Sequence, residues 1–191
     1  MPEYDKGFRL LGLSGSIRQG STNTTILRTL AERLDAGVSL SVFPLDDIPL
    51  YNSDLEGERL PDSVRALRSA IGQSDGIVLC SPEYNHGMSG VLKNALDWAS
   101  RPAFNSPLKN KACLTMTASP GYVGGARAQA QMLDTLSSAL ARVVVRPQVV
   151  IAGVMQKIAG GRLVDEDTVK FCLAAIDDLL KEIRLLSLQT D

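Results

Sequence analysis

Short apolar runs alternate along this chain with amphipathic segments of helical spacing. The runs suited to strands lie at residues 8–13, 38–43, 76–80, 112–117 and within 143–151. Between and after them, apolar residues recur three and four positions apart, as on one face of a helix. These faces comprise Ile26, Leu27, Leu30, Ala31 and Leu34; Val64, Leu67, Ala70 and Ile71; Val91, Leu92, Ala95, Leu96 and Ala99; Met132, Leu133, Leu136 and Leu140; and Val169, Cys172, Leu173, Ile176, Leu179, Leu180 and Ile183. The alternation predicts βα units around a parallel sheet, with five strands and five helices.

The pattern runs through most of the 191 residues without a linker, an internal repeat or a low-complexity tract. We therefore expect one α/β domain over residues 1–191. Pro61 suits the first turn of the second helix, where its missing N–H is not needed. Pro147 removes a backbone donor from the fifth run, which places that strand at a sheet edge. In such sheets, ligands bind beyond the carboxyl ends of the strands, where the strand order reverses.

The charge balance argues against a polyanionic partner. Lys and Arg total 20, Asp and Glu total 21, and the formal charge is −1, so we expect no nucleic-acid partner. No apolar run approaches the roughly 20 residues that cross a bilayer, so we expect no membrane span. Cys80, Cys113 and Cys172 lie far apart in apolar surroundings, which predicts buried, unreactive thiols. The N-terminus has no signal-peptide pattern, so we expect a cytoplasmic protein.

The loop after the first strand has the residue types that bind phosphate. Residues 12–23 read GLSGSIRQGSTN, where small residues let backbone N–H groups converge at a helix start. Ser21 takes the place of the lysine in the phosphate loop of nucleoside triphosphatases, and no GxGxxG is present, which argues against ATP, GTP and a dinucleotide. A phosphomonoester paired with Arg18 fits better. Alternatively, the hydroxyls cap the helix and Gly15 and Gly20 form turns.

The loop after the third strand, at residues 81–90, is rich in rigid and hydrogen-bonding residues. Tyr84 offers a ring or a hydroxyl, and backbone groups beside Pro82 could bind the edge of a heterocycle; an ordinary turn is the alternative. Glu83 and His86 suggest acid–base chemistry, but one histidine without a nucleophile or a metal-ligand partner is weak support, so we assign no catalytic side chain. No His/Cys/Asp cluster has ligand spacing, and we expect no metal site.

The loop after the fourth strand, at residues 118–127, supplies glycines for close backbone approach and ends on Arg127. Three loops that are distant in sequence would therefore meet at one sheet edge. Together they would form a pocket with a phosphate end and a planar, hydrogen-bonding end. Flavin mononucleotide (FMN) has that shape.

Four motifs resemble the NAD(P)H-dependent FMN reductase family, in particular its chromate and quinone reductase branch. They are GSIRxxSxN at 15–23, PEYN at 82–85, GVLKNALDW at 90–98 and GGAR at 124–127. The resemblance extends from about Leu10 to Gly160. It implies a flavodoxin-like three-layer sandwich with a five-stranded parallel sheet in the order 2-1-3-4-5.

The resemblance also implies the residues of an FMN site. Those that would hold the phosphate are Ser16, Arg18, Ser21 and Asn23, and those that would border the ribityl chain and the isoalloxazine are Pro82, Glu83, Tyr84 and Asn85. Ser119 and Gly121 would approach the ring from the loop after the fourth strand. A homodimer or homotetramer is implied as well. The residues Lys93, Asn94, Asp97 and Trp98 either contribute to a subunit contact or form a solvated helix face with one Trp at the core edge.

The implied activity is hydride transfer from NADPH or NADH, through bound FMN, to a small acceptor. Quinones, free flavin, azo compounds, chromate and ferric complexes all remain open as acceptors, and Arg101, Lys109 and Arg127 are equally suited to a 2′-phosphate. Because the cofactor carries the chemistry, no side-chain nucleophile is needed. The enzyme would reduce its acceptor directly or release reduced flavin to a partner monooxygenase. A flavodoxin-type electron carrier and a nucleotide-binding regulatory module are the alternatives from other classes; near-neutral charge and Arg18 argue against the carrier.

Overall fold

The computed structural model describes residues 7–188 and has a parallel sheet at its centre. In chain order the strands are β1 (Phe8–Ser14), β2 (Val38–Phe43), β3 (Gly76–Ser81), β4 (Glu83–Tyr84), β5 (Gly87–Met88), β6 (Ala112–Ala118), β7 (Arg142–Val143), β8 (Val149–Ile151), β9 (Ile158–Ala159) and β10 (Arg162–Leu163). The sheet order is β2-β1-β3-β6, and both β7 and β8 pair in parallel with β6. This confirms the predicted strand order. The pairs β4–β5 and β9–β10 are antiparallel hairpins outside the sheet.

Within residues 7–188, five α-helices cover the two faces of the sheet. They are α1 (Thr22–Ala31), α2 (Asp62–Gln73), α3 (Gly90–Ala99), α4 (Ala126–Ser138) and α5 (Glu166–Ser187), with 3₁₀ turns at Ser53–Leu55, Gly57–Arg59 and Val154–Gln156. Ser21, Ser89 and Asp165 cap α1, α3 and α5, each accepting the N–H of the residue three positions later. Among residues 7–188, no helix is both long and apolar enough to cross a membrane.

Side chains that alternate along β1 divide the core into two parts. Leu10 packs with buried residues of α1 and α5, whereas Leu11 and Leu13 pack with residues of α2, α3 and α4. The helices therefore enclose the sheet on both sides, which confirms the flavodoxin-like three-layer architecture. The loop after β1 therefore leads to a helix on one face of the sheet, and the loop after β2 leads to a helix on the opposite face.

The fifth predicted strand is at the edge, as expected, but it is interrupted. β7 pairs with residues 112–113 of β6 and β8 pairs with residues 116–118. Pro147 lies in the interruption, where no ladder hydrogen bond has to come from its nitrogen. Gln129 of α4 covers part of this gap, because its Nε2 donates to the Thr115 carbonyl oxygen at 3.0 Å.

Two leucines that were predicted on helical faces lie beyond their helices. Helix α1 ends at Ala31, before Leu34, and α4 ends at Ser138, before Leu140. Leu140 has a φ of 61°, and its N–H bonds to the Ser137 carbonyl oxygen. A left-handed residue ends a helix, and glycine is the usual sign of it. Because a leucine and not a glycine occupies this position, the sequence does not indicate where α4 ends.

Candidate active site

The loop after β1 touches the loop after β3 at Gly15. The Gly15 N–H donates to the Cys80 carbonyl oxygen at 2.8 Å. A Cβ at Gly15 would lie 2.8 Å from both Ser81 Oγ and Ser89 Oγ. Only glycine permits this approach, so the two loops adjoin where the strand order reverses between β1 and β3.

The loop after β3 is a two-residue hairpin that is bound to α4. Its turn residues, Asn85 and His86, have φ of 50° and 67°, as in a type I′ turn. Oε2 of Glu83 accepts the N–H groups of Arg127 and Ala128 at 2.9 and 3.1 Å. The N-cap residue of α4 is a glycine, which has no side chain to cap the helix, so Glu83 supplies that cap from 44 residues away. The hairpin therefore adjoins the loop that precedes α4.

The loop after β6 is anchored at its base and exposed at its tip. The Ser119 N–H donates to the Ile151 carbonyl oxygen at 3.1 Å, and the Gly121 N–H donates to Ser119 Oγ at 3.2 Å. Tyr122 is fully exposed. Gly125, which has a φ of 98°, lets the chain turn into α4 so close to Thr117 that a Cβ would lie 2.8 Å from Thr117 Cβ. The three predicted loops thus share one edge of the sheet.

The first turn of α1 presents unused hydrogen-bond donors. In the part of the chain that is described, the N–H groups of Thr22 and Asn23 donate no hydrogen bond. The Asn23 side chain is buried, with the residue 2% exposed, and its Oδ1 accepts the Cys80 thiol at 3.2 Å. No acceptor for Asn23 Nδ2 lies among residues 7–188. Two amide protons and two backbone protons are therefore available at the positive end of the helix.

A cavity of about 200 Å³ lies between this loop and the end of β2. It is lined by Ser14, Ser16, Ile17, Arg18, Gln19, Thr24, Arg28 and residues 42–46. Arg18 folds against the loop, with Nη1 3.0 Å from where a Cβ of Gly20 would stand. Neither Arg18 nor Arg28 has a carboxylate partner within residues 7–188. Sequence reasoning missed Arg28, because only the helix geometry brings it one and a half turns back to the loop.

These donors fit the phosphate of FMN. A dianion accepts hydrogen bonds only, and the loop offers a guanidinium, free helix N–H groups and the Asn23 amide, which has no acceptor among residues 7–188. Ser21 caps α1 by accepting the Thr24 N–H at 3.1 Å, which confirms the capping alternative for that residue. A hydroxyl that accepts can still donate its own proton, so capping and phosphate binding by Ser21 are compatible.

The residues predicted for the ring end are less enclosed. Pro82 is buried against Gly15, and the Glu83 side chain is 12% exposed and bound to α4. Tyr84 is 58% exposed, and Asn85 is at the hairpin tip. Ser119 is half-buried and Gly121 exposed. The structure brings these residues to the same edge as the α1 N-terminus and leaves their outer side open.

His86 is next to two charged side chains on the hairpin. Arg127 Nη1 lies 3.0 Å from His86 Nδ1, so the guanidinium donates to that nitrogen. Glu83 Oε1 lies 3.9 Å from His86 Nδ1 and 3.8 Å from Arg127 Nη1. Within residues 7–188, no group of three or more His, Cys, Asp or Glu side chains is placed to hold a metal ion. His86 therefore serves as a hydrogen-bond acceptor for Arg127 on the hairpin.

The LKNALDW motif has a role that the sequence did not reveal. Asn94 Oδ1 accepts the Tyr51 N–H at 2.8 Å, and Asn94 Nδ2 donates to the Pro49 carbonyl oxygen at 2.9 Å. Trp98, which is fully buried, donates from Nε1 to the same carbonyl at 2.8 Å. Both side chains therefore bind the loop after β2 to α3. Asn94 is not part of a solvated face, whereas buried Trp98 agrees with the alternative that placed one Trp at the core edge. Lys93 and Asp97 form an ion pair at 2.7 Å on the same helix.

The three cysteines are free and buried, as predicted. Burial raises the pKa of Cys80 far above its ordinary value, and it raises the pKa of Cys113 and of Cys172 to about 12. All three thiols therefore keep their protons at neutral pH, and none is a nucleophile.

Comparison with known proteins gives a consistent result. A family model described as NADPH-dependent FMN reductase matches residues 8–156. An NAD(P)H-dependent FMN reductase of Pseudomonas aeruginosa is 38% identical over 159 residues, which are 83% of this chain and 85% of that protein. A quinone reductase of Escherichia coli K12 is 34% identical over 184 residues, or 93% of this chain and 97% of that protein. Among solved structures, the flavoenzyme FerB, an NAD(P)H:(acceptor) oxidoreductase from Paracoccus denitrificans, has a TM-score of 0.84 at 30% identity and covers 93% of this chain and 97% of its own.

Proposed function

This chain belongs to the NADPH-dependent FMN reductase family, and on that premise we propose that its three-loop edge holds FMN by the phosphate and delivers electrons to quinones. The protein is an FMN-dependent NAD(P)H oxidoreductase, with FMN as cofactor and NAD(P)H as co-substrate. Membership of a reductase family favours this enzyme over an electron carrier.

One observation carries the assignment of the phosphate end. Asn23 is almost completely buried, yet its amide protons have no acceptor within residues 7–188. The Asn23 Nδ2 atom itself still reaches solvent, so its two protons are free for a ligand oxygen that arrives from outside. We assign phosphate binding to Ser16, Arg18, Ser21 and Asn23, together with the free N–H groups of the first turn of α1. Arg18 supplies the charge, and Asn23 and Ser21 supply directed donors.

At the ring end, Pro82, Glu83, Tyr84, Asn85, Ser119 and Gly121 are assigned to the ribityl and isoalloxazine contacts. The Glu83 carboxylate is committed to the α4 N-terminus, so Glu83 acts by holding the hairpin against the loop before α4. Bound FMN supplies hydride transfer from NAD(P)H to the acceptor, and the protein supplies position and an open approach. No side chain is needed as a nucleophile.

Quinones are the proposed acceptor class. The E. coli relative, which is named a quinone reductase, aligns over 93% of this chain. The exposed side chains of Tyr84 and Tyr122 at the mouth of the site suit a flat aromatic acceptor. Azo compounds, chromate and ferric complexes have no comparable support.

We further propose a homodimer or homotetramer in the cytoplasm. Exposed Tyr84, Tyr122 and Val123 border the site, and a second copy that covered them would complete the wall around the cofactor. The three free, buried cysteines are consistent with a reducing compartment. Light scattering with and without FMN tests the assembly.

The visible spectrum of the protein tests the function. We expect flavin absorption after reconstitution with FMN, its bleaching by NADPH without oxygen, and its recovery on adding a benzoquinone. Recovery without loss of FMN on a desalting column would support direct reduction of the acceptor over release of reduced flavin. Colourless protein that takes up no FMN would overturn the proposal.

A further inference from the structure

We propose that Cys80 is a positioning residue for the FMN phosphate, because its thiol fixes the orientation of the Asn23 amide. The inference rests on the proposed role of Asn23. Cys80 is fully buried in β3, and its Sγ lies 3.2 Å from Asn23 Oδ1. A thiol at the end of a core strand thus reaches the first turn of α1.

Cys80 contacts both ends of the phosphate-binding loop. Its carbonyl oxygen accepts the Gly15 N–H at 2.8 Å, where the loop begins, and its thiol donates to Asn23, where the loop enters α1. In the sheet, Cys80 pairs with Ser14, the last residue of β1. Any residue at position 80 could accept the Gly15 N–H through its carbonyl oxygen, whereas the hydrogen bond to Asn23 requires a side chain that donates.

The direction of this hydrogen bond determines which end of the amide is presented. An S–H group can donate to Oδ1, and Oδ1 is thereby held toward the core. The two protons of Nδ2 then remain for the other side, where a phosphate oxygen would accept them. If the amide were rotated by half a turn, Oδ1 would face the phosphate, and two acceptors would repel each other.

The protonation state of Cys80 suits this role. Burial raises the pKa of the Cys80 thiol far above its ordinary value, so the thiol keeps its proton. Cys172 offers a matched control, because it is buried in the same hydrophobic cluster and its side chain has no hydrogen bond within the described residues. Comparing variants of Cys80 and Cys172 therefore separates the effect of losing a buried sulfur atom from the effect of losing the hydrogen bond to Asn23.

The test compares Cys80→Val, Cys80→Ala, Cys80→Ser and Cys172→Ala by titration with FMN and with riboflavin, followed by quenching of flavin fluorescence. Riboflavin lacks only the phosphate, so it reports the binding of the ring and the ribityl chain. We expect Cys80→Val and Cys80→Ala to raise the Kd for FMN by about three- to tenfold, as for one lost hydrogen bond. Their Kd for riboflavin should equal that of wild type. Cys80→Ser, which keeps a donor, should restore the FMN affinity to within about twofold, and Cys172→Ala should bind FMN as wild type does.

Two results would overturn the inference. One is an unchanged Kd for FMN in Cys80→Val and Cys80→Ala while Asn23→Ala weakens binding. The other is an equal loss of FMN and riboflavin affinity that Cys80→Ser does not restore. In an Asn23→Ala background, Cys80→Ala should have no further effect on the Kd for FMN, and an additional loss there would also contradict the proposal. Wild-type protein that binds neither ligand would instead refute the proposed function.

Discussion

The two ends of the site differ in how firmly this chain builds them. At the phosphate end, Ser21 and Asn23 are each only 2% exposed, and Gly15 is hydrogen-bonded to β3. At the ring end, Tyr84 is 58% exposed and Tyr122 fully exposed. A single copy of the chain therefore supplies a formed anchor for the phosphate and an open platform for the ring.

This difference separates two tasks of the enzyme. Retention of the cofactor needs directed donors that are fixed before binding, and such donors are most effective in a sheltered position. Turnover needs NAD(P)H and the acceptor to reach the same face of the flavin, which requires access. We therefore expect changes to the side chains that donate to the phosphate to act on the affinity for FMN, and changes at the contacts between loops or at the ring end to act on stability or turnover.

Arg18→Ala should have the largest effect. A charge-assisted hydrogen bond is worth about 1.5–3 kcal/mol, so the Kd for FMN should rise by about ten- to a hundredfold. Arg18 is exposed and without a carboxylate partner in the described part of the chain, so the free energy of unfolding should change by less than about 0.5 kcal/mol. Arg59→Ala, at another exposed arginine, is the control and should bind FMN normally. An unchanged Kd in folded Arg18→Ala would remove Arg18 from the site.

Gly15→Ala should break the contact between the two loops. The new Cβ would lie 2.8 Å from Ser81 Oγ and Ser89 Oγ, and such overpacking costs about 1–3 kcal/mol of unfolding free energy. Gly72→Ala is the matched control in α2, because nothing lies within 4 Å of its added Cβ. In a helix that change should stabilise the protein by about 0.5–1 kcal/mol. Urea unfolding of both variants measures this, and equal effects would show that the loops are not closely packed.

Glu83→Ala should act on the ring end alone. It removes the acceptor of two N–H groups at the start of α4, and loss of a helix cap costs about 0.5–2 kcal/mol. Glu83→Gln retains a side-chain oxygen and should lose less. The ratio of the FMN and riboflavin Kd values should remain that of wild type, because the phosphate contacts are unchanged. A ratio of the Kd for FMN to the Kd for riboflavin that rises, as it should in Arg18→Ala, would contradict the separation of the two ends.

His86→Ala should have the smallest effect. His86 is on the exposed hairpin tip and accepts a hydrogen bond from Arg127, so its loss removes one surface contact. We expect NADPH oxidation with a benzoquinone to fall by less than about tenfold, whereas loss of a general acid or base typically costs 10²- to 10⁴-fold. A reduction in that higher range would make His86 catalytic.

The sequence sufficed for the features that depend on periodicity and on loop chemistry. The alternation in β1 and the faces of the helices predict the layers, since each strand and helix must bury its apolar side. Small residues and hydroxyls around Gly15 and Ser21 predict a phosphate-binding turn before the location of any atom is known. The cap by Ser21 is a local contact, and local contacts are legible from short motifs.

Contacts between distant segments were not legible. Glu83 looked like a candidate acid or base, but it caps a helix that begins 43 residues later in the sequence. The sequence indicates a subunit contact or a solvated face for Asn94 and a subunit contact or the core edge for Trp98, but it does not reveal that both donate to the carbonyl oxygen of Pro49. The hydrogen bond from Cys80 to Asn23 spans 57 residues, and only the packing of α1 on β3 brings the two together.

The ratio of the wild-type dissociation constants for riboflavin and FMN measures how much of the cofactor's affinity depends on the phosphate. If the main anchor is at the phosphate, FMN should bind at least about a hundredfold more tightly than riboflavin, as expected when several charge-assisted hydrogen bonds depend on that group. Equal affinities for the two flavins would show that the loop after β1 does not bind the phosphate, and would contradict the assignment of this loop as the anchor of FMN.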